Sequence, residues 1–180
     1  MNDDLQAVFL DRDGTIGGSD VVEYPGEFKL FPYTAEVIKQ LKVKGIQVIS
    51  FTNQPGISRA VAKEHEFVRE LKAFGFDEIY LCPHHHKEGC QCRKPSTGML
   101  EKAAKEHSLD LSKCAVFGDR WTDIMAAKSA GCIAVLVLTG SGTAAYEQNH
   151  QTSKVQPDYV AENLQTGADW LLKASMEHKN

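Results

Sequence analysis

The chain has no apolar run near the roughly 18–20 residues that a membrane span requires. It also has no excess of positive charge, its formal net charge being −4. The second absence removes the basic footprint of a nucleic-acid binder and the polybasic patch of a membrane-surface protein. The opening Met1-Asn2-Asp3-Asp4 lacks the positive and then apolar regions of a secretory signal. There is no internal repeat, no low-complexity tract and no linker between two halves, so residues 1–180 are expected to form one domain around one core. Cysteine is scarce and odd in number, with five in all and three of them inside "CPHHHKEGCQC". That distribution does not suit a disulfide framework; it suits metal ligation in a reducing compartment, which places the protein in the cytoplasm.

What is present alternates. "AVFL" (7–10), "IQVISF" (46–51), "EIYLC" (78–82), "CAVFG" (114–118) and "IAVLVL" (133–138) read as strands. Most are nearly unbroken apolar runs, as in a sheet covered on both faces. Between them, "TAEVIKQLKVKG", "AKEHEFVRELKAFG", "GMLEKAAKEHS" and "TDIMAAKSAG" have helical spacing. Thr34 is expected to cap the first, and Gly45 and Gly131 to stop the first and last. This alternation predicts an α/β fold with a doubly wound, mostly parallel sheet in three layers, with right-handed crossovers. Residues 139–158 are polar and Gly/Ser/Thr-rich and read as a long loop before a last helix near 161–174, with a frayed end beyond Ser175.

In such folds ligands gather outside the carboxyl ends of the strands. "FLDRDGT" drives the first strand into Asp11 and offers Asp13 two residues on. The second strand runs into Thr52 and Asn53 of "FTNQPGISR", "CRKP" brings Lys94, and the fourth strand runs into Asp119 and Asp123 of "GDRWTDI". Four carboxylates in one mouth repel each other unless a cation sits among them. Oxygen ligands with room for phosphate suit Mg²⁺, held by Asp11, Asp13, Asp119 and Asp123. A lysine, a hydroxyl and a metal around one position suit phosphoryl transfer. Asp11 is then the nucleophile, Asp13 the acid and base, and Lys94 and Thr52, with the Asn53 amide beside them, stabilise the phosphoryl oxygens.

The cysteine-rich loop offers a second metal site. Cys82, His84, Cys90 and Cys92, in a C-x-H…C-x-C arrangement, can close a tetrahedral Zn²⁺ site without an open position, hence a structural one. His85 and His86 compete with His84 on residue type alone. Cys114 and Cys132 border apolar strands and read as small core residues. Trp121 can rim the mouth or pack at a helix start, Trp170 reads as core or half-buried, and Gly17-Gly18 can hinge a flap or form an ordinary turn.

"DRDGT", "TNQPG", the lysine of "CRKP" and "GDRWTD" together resemble the four ordered motifs of the haloacid dehalogenase superfamily of phosphohydrolases. The resemblance spans roughly residues 7–138. It implies Mg²⁺, an aspartyl-phosphate intermediate and the roles just given. The intervals that carry mobile caps in other members are short here, so the capless kind is expected. "CPHHHKEGCQCRKPSTGM" is similar to the zinc loop of D-glycero-D-manno-heptose 1,7-bisphosphate phosphatases and of histidinol-phosphate phosphatases. That likeness selects His84 as the ligand and implies substrate recognition by Arg93, with Gln54 and Arg59 also near substrate. The segment "GGSDVVEYPGEF" lacks an asparagine expected after "DRDGTI", and "GDRW" replaces the more usual "GDK", so the exact sugar stays open.

The expected partner is a small phosphorylated metabolite, without nucleic acid or membrane, and nothing in the sequence decides the oligomeric state. A polynucleotide end phosphatase fits the acidic balance poorly. A zinc-stabilised binding module without turnover leaves Lys94 and Thr52 at their strand ends unexplained. A phosphoacceptor switch has no need of Asp13.

Overall fold

The computed structural model of the chain describes residues 5–19 and 21–176. Strands and helices alternate as β1 (Ala7–Leu10), α1 (Thr34–Val43), β2 (Gln47–Asn53), α2 (Glu64–Ala73), β3 (Glu78–Cys82), α3 (Gly98–His107), β4 (Cys114–Gly118), α4 (Trp121–Ala130), β5 (Ile133–Val137), α5 (Gly142–Asn149), β6 (Tyr159–Ala161) and α6 (Leu164–Met176). The six strands form one sheet in the order β3-β2-β1-β4-β5-β6, with every neighbouring pair parallel.

Parallel neighbours require crossovers, and here the crossovers cover both faces of the sheet. Side chains alternate across β1. Val8 and Leu10 join a core with residues of α1, α2 and α6, while Ala7 and Phe9 join a second core with residues of α3 and α4. All four β1 side chains are fully buried, which is why the sequence there shows no polar alternation. The three-layer, doubly wound arrangement is the one expected.

β1 lies between β2 and β4, so the strand order reverses there and a crevice opens at the carboxyl ends of β1 and β4. Asp11 follows β1 directly and Asp119 follows β4 directly. Among the described residues, neither 14–33 nor 54–63 contains a helix or a named strand, so no large cap is inserted. Segment 14–33 folds back on itself instead. Gly14–Ile16 make the turn; Gly17 bridges to Asp13 and Leu30 and Gly18 adopts φ +73°, so the glycine pair lies in the pairing just after it, within a packed flap.

Several boundaries differ from expectation. β2 runs on through Thr52 and Asn53, because their backbone stays paired with Leu81 and Cys82. Residues 139–158 are not a loop throughout: α5 occupies Gly142–Asn149, and β6 follows at Tyr159. Only Gly142 of α5 is buried, so that helix has no apolar stripe to mark it in the sequence. α6 runs Leu164–Met176, so it starts later than expected and continues one residue past Ser175; the rest of the expected frayed end lies outside the described residues. Thr34 does not cap α1; its hydroxyl donates to the Ile16 carbonyl at 2.7 Å and ties the helix to the flap. No helix of the described residues is long and apolar enough to cross a membrane.

Candidate active site

At the crevice, one carboxylate oxygen from each of Asp11, Asp119 and Asp123 falls within a 4.8 Å cluster. All three residues are buried. Lys94, also buried, reaches into the group: its Nζ lies 3.1 Å from Asp11 Oδ1 and 2.6 Å from Asp123 Oδ1, and donates to the Phe51 carbonyl at 2.8 Å. Asp123 is set by the start of α4, where its Oδ2 accepts from the Arg120 N–H at 3.0 Å as a helix cap. Asp119 Oδ2 accepts from the Ser141 N–H at 2.8 Å, while its Oδ1 is buried with no hydrogen-bond partner.

These features fit a bound hard cation. Three buried carboxylates outnumber one lysine, and an unpaired buried carboxylate oxygen is costly unless a cation faces it. Without one, burial pushes the Asp119 carboxyl up to about 8, helped by the charges of Asp11 and Asp123. Burial also raises Asp123, against the opposing charge of Lys94. For Lys94 burial acts to lower the pKa, but the charges of Asp11 and Asp123 outweigh it and the net shift is upward.

A carboxyl whose pKa rises on folding keeps protons that the unfolded chain releases, so it costs stability as pH climbs through that interval. Magnesium-free protein is therefore expected to melt at a lower temperature at pH 8 than at pH 5. Excess Mg²⁺ should close the gap, since it binds only the folded cluster. A pH-independent difference between the two forms would contradict the carboxylate assignment.

Asp13 stands apart from the cluster. Its Oδ1 accepts from Arg12 Nη1 at 2.6 Å and its Oδ2 from Gln54 Nε2 at 2.7 Å. Asp13, expected as a fourth magnesium ligand, lies outside the group of carboxylates that come within 4.8 Å of one another. Burial raises its pKa; the Arg12 charge opposes this and the Asp11 charge adds to it. Such a carboxyl can hold a proton and give it up. Gln54, expected near substrate, lines the mouth and also bridges Asp13 and Thr52, whose Oγ1 accepts from the same amide at 3.0 Å. Asn53 Oδ1 accepts from the Lys94 N–H at 3.1 Å, which seats the lysine.

The mouth above is a cavity of about 530 Å³. Arg59, Arg93 and Arg120 line it, together with Tyr24 and Trp121, and α5 supplies a wall through Gln148 and Asn149. Arg93 Nη1 donates to the His84 carbonyl at 3.3 Å, so the cysteine loop positions it. Trp121 fills both expected places: it opens α4, borders the mouth and donates through Nε1 to Ser153 Oγ at 3.0 Å. Trp170 is partly buried and stacks on Tyr159.

Gly14 is where the backbones close in. Its φ is +78°, and a Cβ there would lie 2.1 Å from Asp119 Oδ2 and 3.0 Å from Gly140 Cα. Gly14→Ala is expected to lower the melting temperature by about 4–8 °C, from roughly 2 kcal/mol of backbone strain, and to weaken Mg²⁺ binding by displacing Asp119. Thermal melting with and without Mg²⁺ measures both.

Beside the mouth, Cys82, His84, Cys90 and Cys92 bring four ligand atoms within 4.8 Å of one another. The Cys82–Cys90 and Cys90–Cys92 sulfurs are 3.5 Å apart, and His84 Nδ1 is 3.2 Å from Cys92 Sγ. A zinc tetrahedron with bonds of about 2.3 Å has edges near 3.8 Å, whereas a disulfide needs about 2.05 Å. The thiols are free, and the donor set fits zinc. Burial opposes ionisation of Cys90, but the Arg93 N–H and the neighbouring thiols outweigh it and bring the group down to about 7. His85 lies outside the cluster and accepts from the Lys87 N–H. Cys114 and Cys132 are buried.

The family described as HAD-hydrolase-like matches residues 91–167. A D-glycero-D-manno-heptose-1,7-bisphosphate 7-phosphatase of Thermosynechococcus vestitus is 36% identical, over 92% of this chain and 94% of that protein. The chain belongs to the haloacid dehalogenase superfamily of phosphatases. A related haloacid dehalogenase phosphatase, the D-glycero-beta-D-manno-heptose-1,7-bisphosphate 7-phosphatase of Bordetella bronchiseptica, is 33% identical over 94% of this chain and 99% of its own length. A crystal structure of the D,D-heptose 1,7-bisphosphate phosphatase from B. bronchiseptica, complexed with magnesium and phosphate, superposes with a TM-score of 0.82 at 32% identity, covering 94% of this chain and 99% of the other.

Three contributors to this haloacid dehalogenase site carry no clear mark in the sequence. The Ser141 amide follows β5, whose carboxyl end "LTGSG" holds no acid, base or cysteine. Tyr24 borders the mouth from the flap. Arg12, between two acids in sequence, is fully buried against Phe28 and Phe67.

Proposed function

We propose that this chain is a Mg²⁺-dependent phosphatase that removes the 7-phosphate of D-glycero-D-manno-heptose 1,7-bisphosphate in the cytoplasm, with residues 1–180 acting as one catalytic domain. The observation that carries the reading is Asp11 standing 3.1 Å from the Lys94 ammonium inside a cluster of buried carboxylates. Relatives named for that substrate support the sugar, and three arginines around the mouth supply charge for a second phosphate.

Asp11, Asp119 and Asp123 would hold Mg²⁺, which would supply positive charge against the cluster and the phosphoryl oxygens. Asp11 attacks phosphorus in line through a carboxylate oxygen; the bond to the sugar oxygen breaks, and Asp11 carries the phosphoryl group as an acyl phosphate. Asp13 gives its proton to the departing sugar oxygen. It then takes one from the water that attacks the acyl phosphate, so phosphate leaves and both aspartates return to their starting states. Lys94 and the Thr52 hydroxyl stabilise the equatorial oxygens, Asn53 seats the lysine, and Gln54 orients Asp13. Arg59 and Arg93 face the rest of the substrate. Cys82, His84, Cys90 and Cys92 would hold a structural Zn²⁺, which would fix the loop that delivers Arg93 and Lys94.

The test is a ranking of kcat/KM over heptose, hexose, histidinol and nucleotide phosphates in the presence of Mg²⁺. The heptose bisphosphate should lead. Preference for histidinol phosphate would move the substrate assignment while leaving the chemistry in place.

A further inference from the structure

Arg12 has no accessible surface, yet it carries a permanent charge. Its guanidinium carbon lies 3.8 Å from the centre of the Phe28 ring and 5.0 Å from that of Phe67. A cation so enclosed must be matched by charge. Two carboxylates do this from opposite sides. Nη1 donates to Asp13 Oδ1 at 2.6 Å and to the Glu23 carbonyl at 2.8 Å. Nε donates to Glu70 Oε1 at 2.8 Å, and Nη2 lies 2.7 Å from the same oxygen. The other oxygen of Glu70 accepts from the Gly26 N–H at 3.3 Å.

We propose that Glu70, 58 residues from Arg12 and on α2, is a positioning residue of this reaction: through the Arg12 guanidinium it sets where the Asp13 carboxylate points. The inference rests on the reading of Asp13 as the acid and base. Glu70 takes the Nε edge of the guanidinium, with Nη2 2.7 Å from the same oxygen, and Asp13 is bonded by Nη1 alone. Asp13 therefore receives a single directed bond rather than a two-pronged clamp and keeps the freedom to turn toward the leaving oxygen. Remove the Glu70 charge, and the buried cation closes on Asp13, the acid still beside it. The same guanidinium joins the flap, through Glu23 and Phe28, to α2, so the wall bearing Tyr24 and the proton donor share one anchor.

The experiment compares kcat/KM for two esters of different leaving-group basicity: 4-nitrophenyl phosphate, which needs little proton donation, and the heptose bisphosphate, whose alkoxide needs much. Glu70→Gln should cost about tenfold on the sugar ester and under about threefold on the aryl ester, a part of what general acid catalysis provides. In an Asp13→Asn background Glu70→Gln should cost nothing further. Because Glu70→Gln leaves a cation poorly matched, the double replacement Arg12→Leu/Glu70→Leu provides a foldable alternative, buried pairs commonly tolerating apolar substitution. It too should lose sugar-ester turnover selectively, since Asp13 Oδ1 loses its donor. Equal losses on both esters, or an additive loss in the Asp13→Asn background, would overturn the assignment. If Asp13→Asn discriminates between the esters as wild type does, the acid–base reading fails and takes this inference with it. A discriminating Asp13→Asn beside a non-discriminating Glu70→Gln overturns the inference alone.

Discussion

Asp11→Asn is expected to abolish phosphate release, by at least about 10⁴-fold on any substrate, while the protein stays folded. The amide is a poor nucleophile, and the arrangement offers no second group at that point: Asp13 faces Arg12 and Gln54, and Asp119 and Asp123 sit at the ends of other elements. Stability should hold because the change removes one of three clustered negative charges. Lys94 would keep Asp123 at 2.6 Å and the Phe51 carbonyl at 2.8 Å. With Asp11 neutral, the upward push on Asp119 weakens, since the Asp11 charge is its largest cause after burial. Magnesium-free Asp11→Asn should therefore melt at or above the wild-type temperature at pH 8. Turnover measured by released phosphate, beside a melting curve, checks both halves. Activity persisting in a folded variant would remove the nucleophile from position 11.

How far the site is legible in the sequence depends on where its atoms belong. Asp11, Asp119 and Lys94 are legible because burying an acid or a lysine at the end of an apolar strand is costly unless a partner charge or ligand compensates it. Asp123 is half legible: a helix-cap acid is ordinary, and it is one, but its second oxygen faces Lys94. Thr52 and Asn53 read as residues beyond β2, although the strand includes them. Backbone donors leave no sequence signal, so the Ser141 amide is invisible there. Arg12 is hidden differently. A charged residue is ordinarily exposed, and its burial depends on Glu70, Phe28 and Phe67, none a neighbour in sequence. β6 has three residues, too few for a pattern, and it forms because the edge of β5 needs a partner.

The other large effect concerns the loop. Cys90→Ser is expected to remove zinc, about one ion per chain by metal analysis, and to lower the melting temperature by about 10 °C or more. Zinc bound only by the folded state adds its binding energy to folding, up to roughly 10 kcal/mol in small peptides. In a domain with two cores of its own the share is smaller, and a loss of about 3–5 kcal/mol converts to roughly 10–15 °C at this size. Activity should fall with it. Cys92 directly precedes Arg93 and Lys94, and the Gln91 carbonyl accepts the Gly98 N–H at 3.1 Å, so releasing the loop loosens both the lysine and the start of α3. The loss should exceed that of a surface thiol, because Cys82, His84 and Cys92 would be left as a poor remainder of the site; burial raises the pKa of both thiols. Cys132→Ser is the control: it replaces a buried thiol of the core, away from the cluster, and should leave the zinc content untouched. Wild-type protein that is free of zinc yet melts at the same temperature would show that four converging ligands do no more here than pack.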